Sequence, residues 1–144
     1  MKNLIFISIA VIISFSACGQ KLKKEDVPSV VTAKFKTLYP SIEDVNWSKE
    51  NNIYEAEFDL NKVETSASFD AKGNLIETET EIAVADLPAT ITKYLEKNLP
   101  GEKIKEASKI TDSKGVITFE AEVNNVDYVF DKDGNFIKEV KEKQ

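Results

Sequence analysis

The stretch that decides the fold is YEAEFD at residues 54–59, with its continuation FDAKGNLIE at residues 69–77. The same order of residues returns later in the chain, as FEAEV at 119–123 followed by FDKDGNFIK at 130–138. Both copies contain Glu-Ala-Glu and then Phe-Asp-x-x-Gly-Asn-x-Ile. Internal similarity of this kind indicates one supersecondary unit that is used twice.

Residues around the first copy alternate between apolar and polar, a period typical of strands with one buried face. Tyr54, Ala56 and Phe58 share one side, while the acidic residues between them share the other. Polar turns divide the alternating runs, and Gly73 can adopt the positive φ of a tight hairpin turn. The pattern predicts four antiparallel strands, with one apolar face and one face rich in carboxylates and hydroxyls.

A helix precedes the strands in each copy, because apolar residues recur there at helical spacing. These positions are Val27, Val30, Val31, Phe35 and Leu38 in the first copy and Leu87, Ile91, Tyr94, Leu95 and Leu99 in the second. Pro40 and Pro100 end the two helices, since the residue before a proline avoids α geometry.

The sequence therefore predicts an α+β fold of two tandem α-β-β-β-β repeats, at residues 26–82 and 86–142. Either repeat alone has a small core, and only three residues separate them. We expect one joint domain, with a continuous antiparallel sheet of about eight strands and both helices on one face.

Residues 1–17 have the pattern of a secretory signal peptide, because Lys2 precedes an apolar run too short to span a bilayer comfortably. The sequence SAC at 16–18 resembles the lipobox of bacterial lipoproteins. That resemblance implies cleavage before Cys18 and attachment of lipid to its sulfur. A plain secretory signal with an incidental cysteine is the alternative. Residues 18–25 are predicted to form a flexible tether.

The composition excludes several functions. Histidine is absent, which removes the commonest general base at neutral pH and the commonest metal ligand. The net charge of −6 argues against extended nucleic-acid binding, which needs a basic surface. We expect no cofactor and no metal site. A basic protein partner, or no charged partner at all, fits the negative charge best.

The polar face of the sheet is the candidate binding surface. Its predicted contact residues are Glu55, Glu57, Asp59, Glu64, Glu120 and Glu122. A solvated face that prevents aggregation and a docking surface for a basic partner both explain these carboxylates.

Two other interpretations of the carboxylates stay open. Binding of a cation or small ligand is one, since residues 131–135 superficially resemble a calcium loop. Carboxylate-dependent glycoside hydrolysis is the other. We expect a flat, solvated face without the pocket needed to raise a carboxyl pKa, and hence no enzyme.

The combined pattern over residues 26–142 resembles the PepSY-like family, which is also described as similar to β-lactamase-inhibitor proteins. The motifs that carry the resemblance are Tyr39-Pro40, Val45-x-Trp47, Glu55-x-Glu57 and the turns at Asp70/Gly73 and Asp131/Gly134. The resemblance implies a non-catalytic domain of the cell envelope that binds or inhibits another protein. Inhibitor relatives contact their targets through aromatic residues on a concave sheet, whereas the polar face predicted here contains mainly Glu, Ser and Thr.

Overall fold

The computed structural model describes residues 19–141, which form two α-helices and nine β-strands. The helices are α1, Ser29–Leu38, and α2, Ala89–Asn98. The strands are β1 Gln20–Leu22, β2 Asn46–Glu50, β3 Ile53–Leu60, β4 Val63–Asp70, β5 Leu75–Glu81, β6 Glu106–Asp112, β7 Ile117–Val123, β8 Val126–Asp131 and β9 Phe136–Lys141. The predicted α+β class with two tandem repeats is confirmed.

Some predictions concern residues outside the described range. The signal peptide at 1–17, Cys18 and the last residue of the second repeat, Glu142, all lie there. Within residues 19–141, no helix is both long enough and apolar enough to cross a membrane.

All nine strands belong to one antiparallel sheet, in which spatial order follows sequence order from β1 to β9. Strand β5 of the first repeat pairs with β6 of the second, with Glu77 opposite Asp112 and Glu81 opposite Ser108. The repeats are therefore joined edge to edge through backbone hydrogen bonds. The sheet has nine strands rather than the expected eight because the chain before α1 contributes one.

That additional strand corrects the predicted tether. Gln20, Lys21 and Leu22 pair with Lys49, Ser48 and Trp47 of β2, so β1 forms an edge of the sheet. A 3-10 helix at Lys24–Asp26 follows directly. Most of the segment expected to be flexible is thus ordered against the domain, since backbone pairing to β2 satisfies its polar groups.

The apolar face of the sheet receives both helices, as predicted. Phe35 of α1 makes edge-on ring contacts with Trp47 and Phe58, at centroid separations of 5.4 and 5.1 Å. Ile91 and Leu95 of α2 lie in a second core cluster on the second repeat. Trp47 is 5% exposed and belongs to the core cluster of the first repeat.

Two turns fix the helices against the sheet. Gly73 and Gly134 have φ of 81° and 82°, a conformation that favours glycine. A Cβ added at Gly73 would lie 2.7 Å from the carbonyl oxygen of Val30, and one added at Gly134 would overlap the hydroxyl of Thr90. Each turn therefore packs closely on the first turn of the helix in its own repeat.

Two irregularities bend the sheet. The pairing register shifts between Ser68 and Phe69 in β4, and again between Val129 and Phe130 in β8. Bulges of this kind bend a strand and increase its local twist. They occur at equivalent places in the two repeats, next to the Asp-x-x-Gly turns.

Candidate functional site

The six predicted contact residues all lie on the sheet face opposite the helices. Cross-strand pairing places Glu57 opposite Ser66 and Asp59 opposite Glu64, and residues directly opposite each other point to the same side. Glu120 and Glu122 of β7 lie opposite Ser108 and Glu106 of β6, on the same side again. We call this polar side of the sheet the concave face, because the sheet curves toward it.

An open cavity of about 780 Å³ lies on this face. Its lining includes Lys21 of β1, Glu55 of β3, Glu79 of β5 and Asp127 of β8, with the strands between them also represented. Eight strands in a flat sheet would extend over about 34 Å at a spacing of ~4.8 Å, too far for their side chains to enclose one space. The sheet must therefore curve around this cavity, which we call the acidic cavity.

The acidic cavity contains five of the six predicted residues: Glu55, Glu57, Glu64, Glu120 and Glu122. Asp59 instead lines a neighbouring cavity of about 580 Å³, formed with the loop at residues 41–46. Four further carboxylates also line the acidic cavity: Glu79, Glu81, Glu106 and Asp127. Among the described side chains around it, one is basic, that of Lys21.

The expectation of a flat face was wrong, and only part of the face is solvated. Glu55 is 9% exposed, Glu77 and Glu122 are 7% exposed, and Asp127 is 7% exposed. Alternation identifies which face a side chain occupies, but curvature decides how much water reaches it. Because the sheet closes around its polar side, carboxylates that a flat sheet would leave in solvent are buried.

Several of these carboxylates lie directly opposite one another. Glu106, Glu122 and Asp127 form one cross-strand series on β6, β7 and β8. Asp59 of β3 lies opposite Glu64 of β4, and the negative charge of Glu81 on β5 also acts on Glu64. Like charges at directly opposed positions destabilise a sheet. The concave face thus has a concentration of negative charge that its own folding does not favour.

Burial changes the proton affinity of the deepest carboxyls. It raises the pKa of Glu55 to about 7, with the charges of Glu57 and Glu79 acting in the same direction. The hydrogen bond that Ser48 donates to Glu55, at 3.2 Å, opposes this shift only in part.

Glu77 and Glu79 behave in the same way. Burial, together with the charges of Glu79 and Glu55, raises the pKa of Glu77 to about 7, although Lys138 acts in the opposite direction. Burial also raises the pKa of Glu79 above its ordinary value, against a hydrogen bond from Ser108. The Glu64 carboxyl has a raised pKa as well, first from burial and then from the charge of Glu57.

Two neighbouring carboxylates of the acidic cavity share a basic partner. Lys105 Nζ lies 3.0 Å from Glu122 Oε1 and 3.4 Å from Glu106 Oε1. The lysine is mostly exposed and reaches over the rim, while the Glu122 side chain is 8% exposed. Charge is therefore partly neutralised at this end of the cavity.

The alternating pattern of the sequence predicts the polar face for three further glutamates, but it did not identify them as contact residues. Glu77, Glu79 and Glu81 alternate in phase along one predicted strand, and the structure places all three on the concave face. Glu106 and Asp127 were not predicted as contact residues, because it is their pairing with Glu122 that places them beside it in the cavity. The register that places Asp127 opposite Glu122 could have been derived from the two-residue turn at Asn124 and Asn125.

The predicted calcium-like loop is a structural turn. Asp131 Oδ1 accepts hydrogen bonds from the backbone N–H groups of Asp133 and Asn135, at 2.9 and 2.8 Å. Asp70 makes the equivalent bonds to Lys72 and Asn74. Across residues 19–141, no group of three or more acidic or cysteine side chains is arranged to hold a metal ion.

Comparison with known proteins gives the family. The model of the family described as "Putative beta-lactamase-inhibitor-like, PepSY-like" matches residues 16–77 and, in a second match, residues 54–138. The chain belongs to the PepSY-like family. The two matches share the hairpin at 54–77 and together cover both repeats. No curated protein with a matching sequence was found.

Solved structures show the same fold at low identity. A "putative periplasmic" protein from Bacteroides eggerthii is 16% identical, with a TM-score of 0.70 over 79% of this chain and 88% of that one. A DUF2874 family protein from Bacteroides uniformis is 21% identical, with a TM-score of 0.70 over 78% and 88%. A BLIP-like protein from Bacteroides fragilis is 23% identical, with a TM-score of 0.62 over 77% and 83%.

Proposed function

We propose that this PepSY-like protein is a non-catalytic binding module of the bacterial cell envelope that takes a basic segment of a partner protein into the acidic cavity. The observation that carries the proposal is the lining of that cavity, with nine carboxylates and one lysine among the described side chains. Cationic groups of a partner would relieve the repulsion between opposed carboxylates. Complementary charge of this kind gives specificity and speeds association.

The envelope location rests on two supports. The first is the apolar leader ending in SAC at 16–18, which implies a lipid anchor on Cys18. The second is that a structural neighbour is described as "putative periplasmic". The anchored domain would face the periplasm or the cell surface. Because β1 begins at Gln20, only Gly19 separates Cys18 from the sheet.

The lipid anchor can be tested by metabolic labelling with a radioactive fatty acid. The wild-type protein should take up the label and sediment with membranes, whereas the Cys18→Ala variant should do neither. Equal labelling of both proteins would contradict the anchor at this residue and leave the cavity proposal untouched.

The cavity itself is tested by reversing charges that are exposed, so that no new charge is buried. Glu57, Glu64 and Glu106 line the cavity and are exposed. Their triple substitution to Lys should weaken binding of a ten-lysine peptide at least roughly tenfold at physiological salt. The measurement is isothermal titration calorimetry.

A matched control is available among carboxylates that lie outside both cavities. Glu25, Glu96 and Glu102 are also exposed but line neither cavity. Their substitution to Lys changes the net charge by the same amount, yet should weaken binding far less, because charges beyond about 8 Å are largely screened. Equal losses from the two triple variants would show that net charge alone attracts the peptide.

A carboxylate-dependent hydrolase is the second candidate, because Glu55 has the raised pKa expected of a general acid. Such a reaction also requires a second carboxylate that stays ionised nearby. Glu77, two strands away in the same cross-strand row, has its pKa raised as well. Turnover of aryl glycosides by the wild type, lost in Glu55→Gln, would favour this candidate over the binding module.

A further inference from the structure

Three carboxyl groups lie together on β3 and β5 of the concave face. Glu55 lies opposite Ser68, which in turn lies opposite Glu77, so the two glutamates are two strands apart, or about 9.5 Å between backbones. Glu79 follows Glu77 at the next position on the same side of β5, about 7 Å along the strand. Glu55 and Glu79 line the acidic cavity, and Glu77 lies beside them.

The surroundings of these groups are poor in positive charge. For Glu55 and Glu77 less than one-tenth of the residue surface is exposed. The titratable, charged and hydroxyl groups that face the three carboxyls from the packed strands are Lys21 on β1, Ser48 on β2, Glu57 on β3, Glu64, Ser66 and Ser68 on β4, Ser108 and Asp112 on β6, and Lys138 on β9.

We propose that Glu55, Glu77 and Glu79 act as a proton-controlled switch of the acidic cavity, holding protons in mildly acidic medium and releasing them when a cationic partner binds. This inference rests on the proposed binding function and specifies its regulation. The geometry supports it because burial and neighbouring negative charge both favour the neutral form of a carboxyl group.

The direction of the pH effect follows from the linkage between proton binding and cation binding. Burial raises the pKa of both Glu55 and Glu77 to about 7, so a small fall in pH below neutral removes negative charge from the cavity. An exposed glutamate of ordinary pKa would stay ionised over the same interval. Affinity for a cation should therefore rise with pH, and binding near neutral pH should release protons into solution.

The experiment measures binding of the ten-lysine peptide to the full chain, held in a neutral detergent, between about pH 5.5 and pH 8. The wild-type affinity should rise roughly tenfold over this interval. Calorimetry in buffers of different ionisation enthalpy should show release of protons on binding near pH 7. The peptide is N-acetylated, and its lysines stay charged throughout, so the titrating groups must belong to the protein.

Two variants separate the switch from the charge of the cavity. The double substitution Glu55→Gln with Glu77→Gln should remove most of the pH dependence and leave the affinity near pH 5.5 close to that of the wild type. The exposed Glu106→Gln should lower the affinity by a similar factor at every pH. Circular dichroism of each variant checks that its fold is intact.

The outcomes distinguish this inference from the function it depends on. Peptide binding that is strong and the same at both ends of the pH range would overturn the switch and leave the binding module standing. Absence of peptide binding at any pH would overturn both. A pH dependence that persists unchanged in the double variant would also contradict the assignment, because other groups would then be titrating.

Discussion

Glu55 of the first repeat and Glu120 of the second occupy the same place in Glu-Ala-Glu, but they have different cross-strand neighbours. Glu55 lies opposite Ser48 and Ser68, whereas Glu120 lies opposite Ser108 and Val129. The second glutamates of the two Glu-Ala-Glu motifs differ more in their exposure and in their neighbours. Glu57 is exposed and lies opposite Asn46 and Ser66, while Glu122 is buried between Glu106 and Asp127.

The two halves of the concave face consequently handle negative charge in different ways. In the second repeat, Lys105 forms an ion pair with Glu122, and Ile110 and Val129 form a small buried apolar cluster on the same face. In the first repeat, burial raises the pKa of Glu55 and Glu77 to about 7 instead. A duplicated motif has therefore diverged on its polar side, while the helices and turns on the other side stayed alike.

The largest effect that we predict concerns the shared part of the repeats. Gly73→Ala should lower the free energy of unfolding by about 3–4 kcal/mol, because φ is positive and the new Cβ would meet the backbone of Val30. Gly115 also has positive φ but nothing within 4 Å, so Gly115→Ala should cost only about 1 kcal/mol. Urea unfolding compares the two, and equal losses would contradict the packing of the first turn on α1.

The next largest effect is a pH dependence of the free energy of unfolding, which comes from the first repeat's half of the concave face. The carboxyls of Glu55 and Glu77 have raised folded-state pKa values, so their contribution to stability is greatest below about pH 4.5 and is lost as pH rises to about 7. The free energy of unfolding should fall by about 3 kcal/mol over that interval. Asp70 and Asp131 have pKa values lowered by hydrogen bonds from Asn74 and Asn135, so their contribution is lost only in stronger acid.

Thermal unfolding at a series of pH values measures this fall. The Glu55→Gln and Glu77→Gln double variant should be more stable than the wild type near pH 8 and have a nearly flat profile from pH 5 upward. The exposed Glu139→Gln is the control and should follow the wild-type profile. A wild-type protein that gains stability between about pH 5 and pH 8 would contradict the burial of these carboxyls.

A smaller effect on stability is expected when the ion pair of Lys105 in the second repeat is broken. Lys105→Gln leaves Glu122 opposite two other carboxylates, but the lysine is mostly exposed and its attraction is screened by water. The loss of stability should be small and should shrink at high salt. The control is Lys103→Gln, which changes another exposed lysine and should alter stability by less than about 0.5 kcal/mol.

Sequence reasoning predicted the parts of this fold that depend on local pattern. Alternation around Tyr54, Ala56 and Phe58 gave the strand and its buried side, and Gly73 marked a turn. It could not predict that Gln20–Leu22 would pair with β2, since nothing in those residues specifies a distant partner. Nor could it predict the burial of Glu55, which depends on the curvature of the whole sheet and not on its own neighbours in sequence.

The claim that the concave face binds a basic segment can be tested by mapping where such a segment contacts the protein. Two-dimensional ¹⁵N–¹H NMR spectra of the protein, recorded while the ten-lysine peptide is added, report on each backbone amide. We predict shifts concentrated at cavity-lining positions such as Glu57, Ser66 and Ser108, with little change in α1 and α2. Shifts spread over the helices, or none on the concave face, would contradict the account.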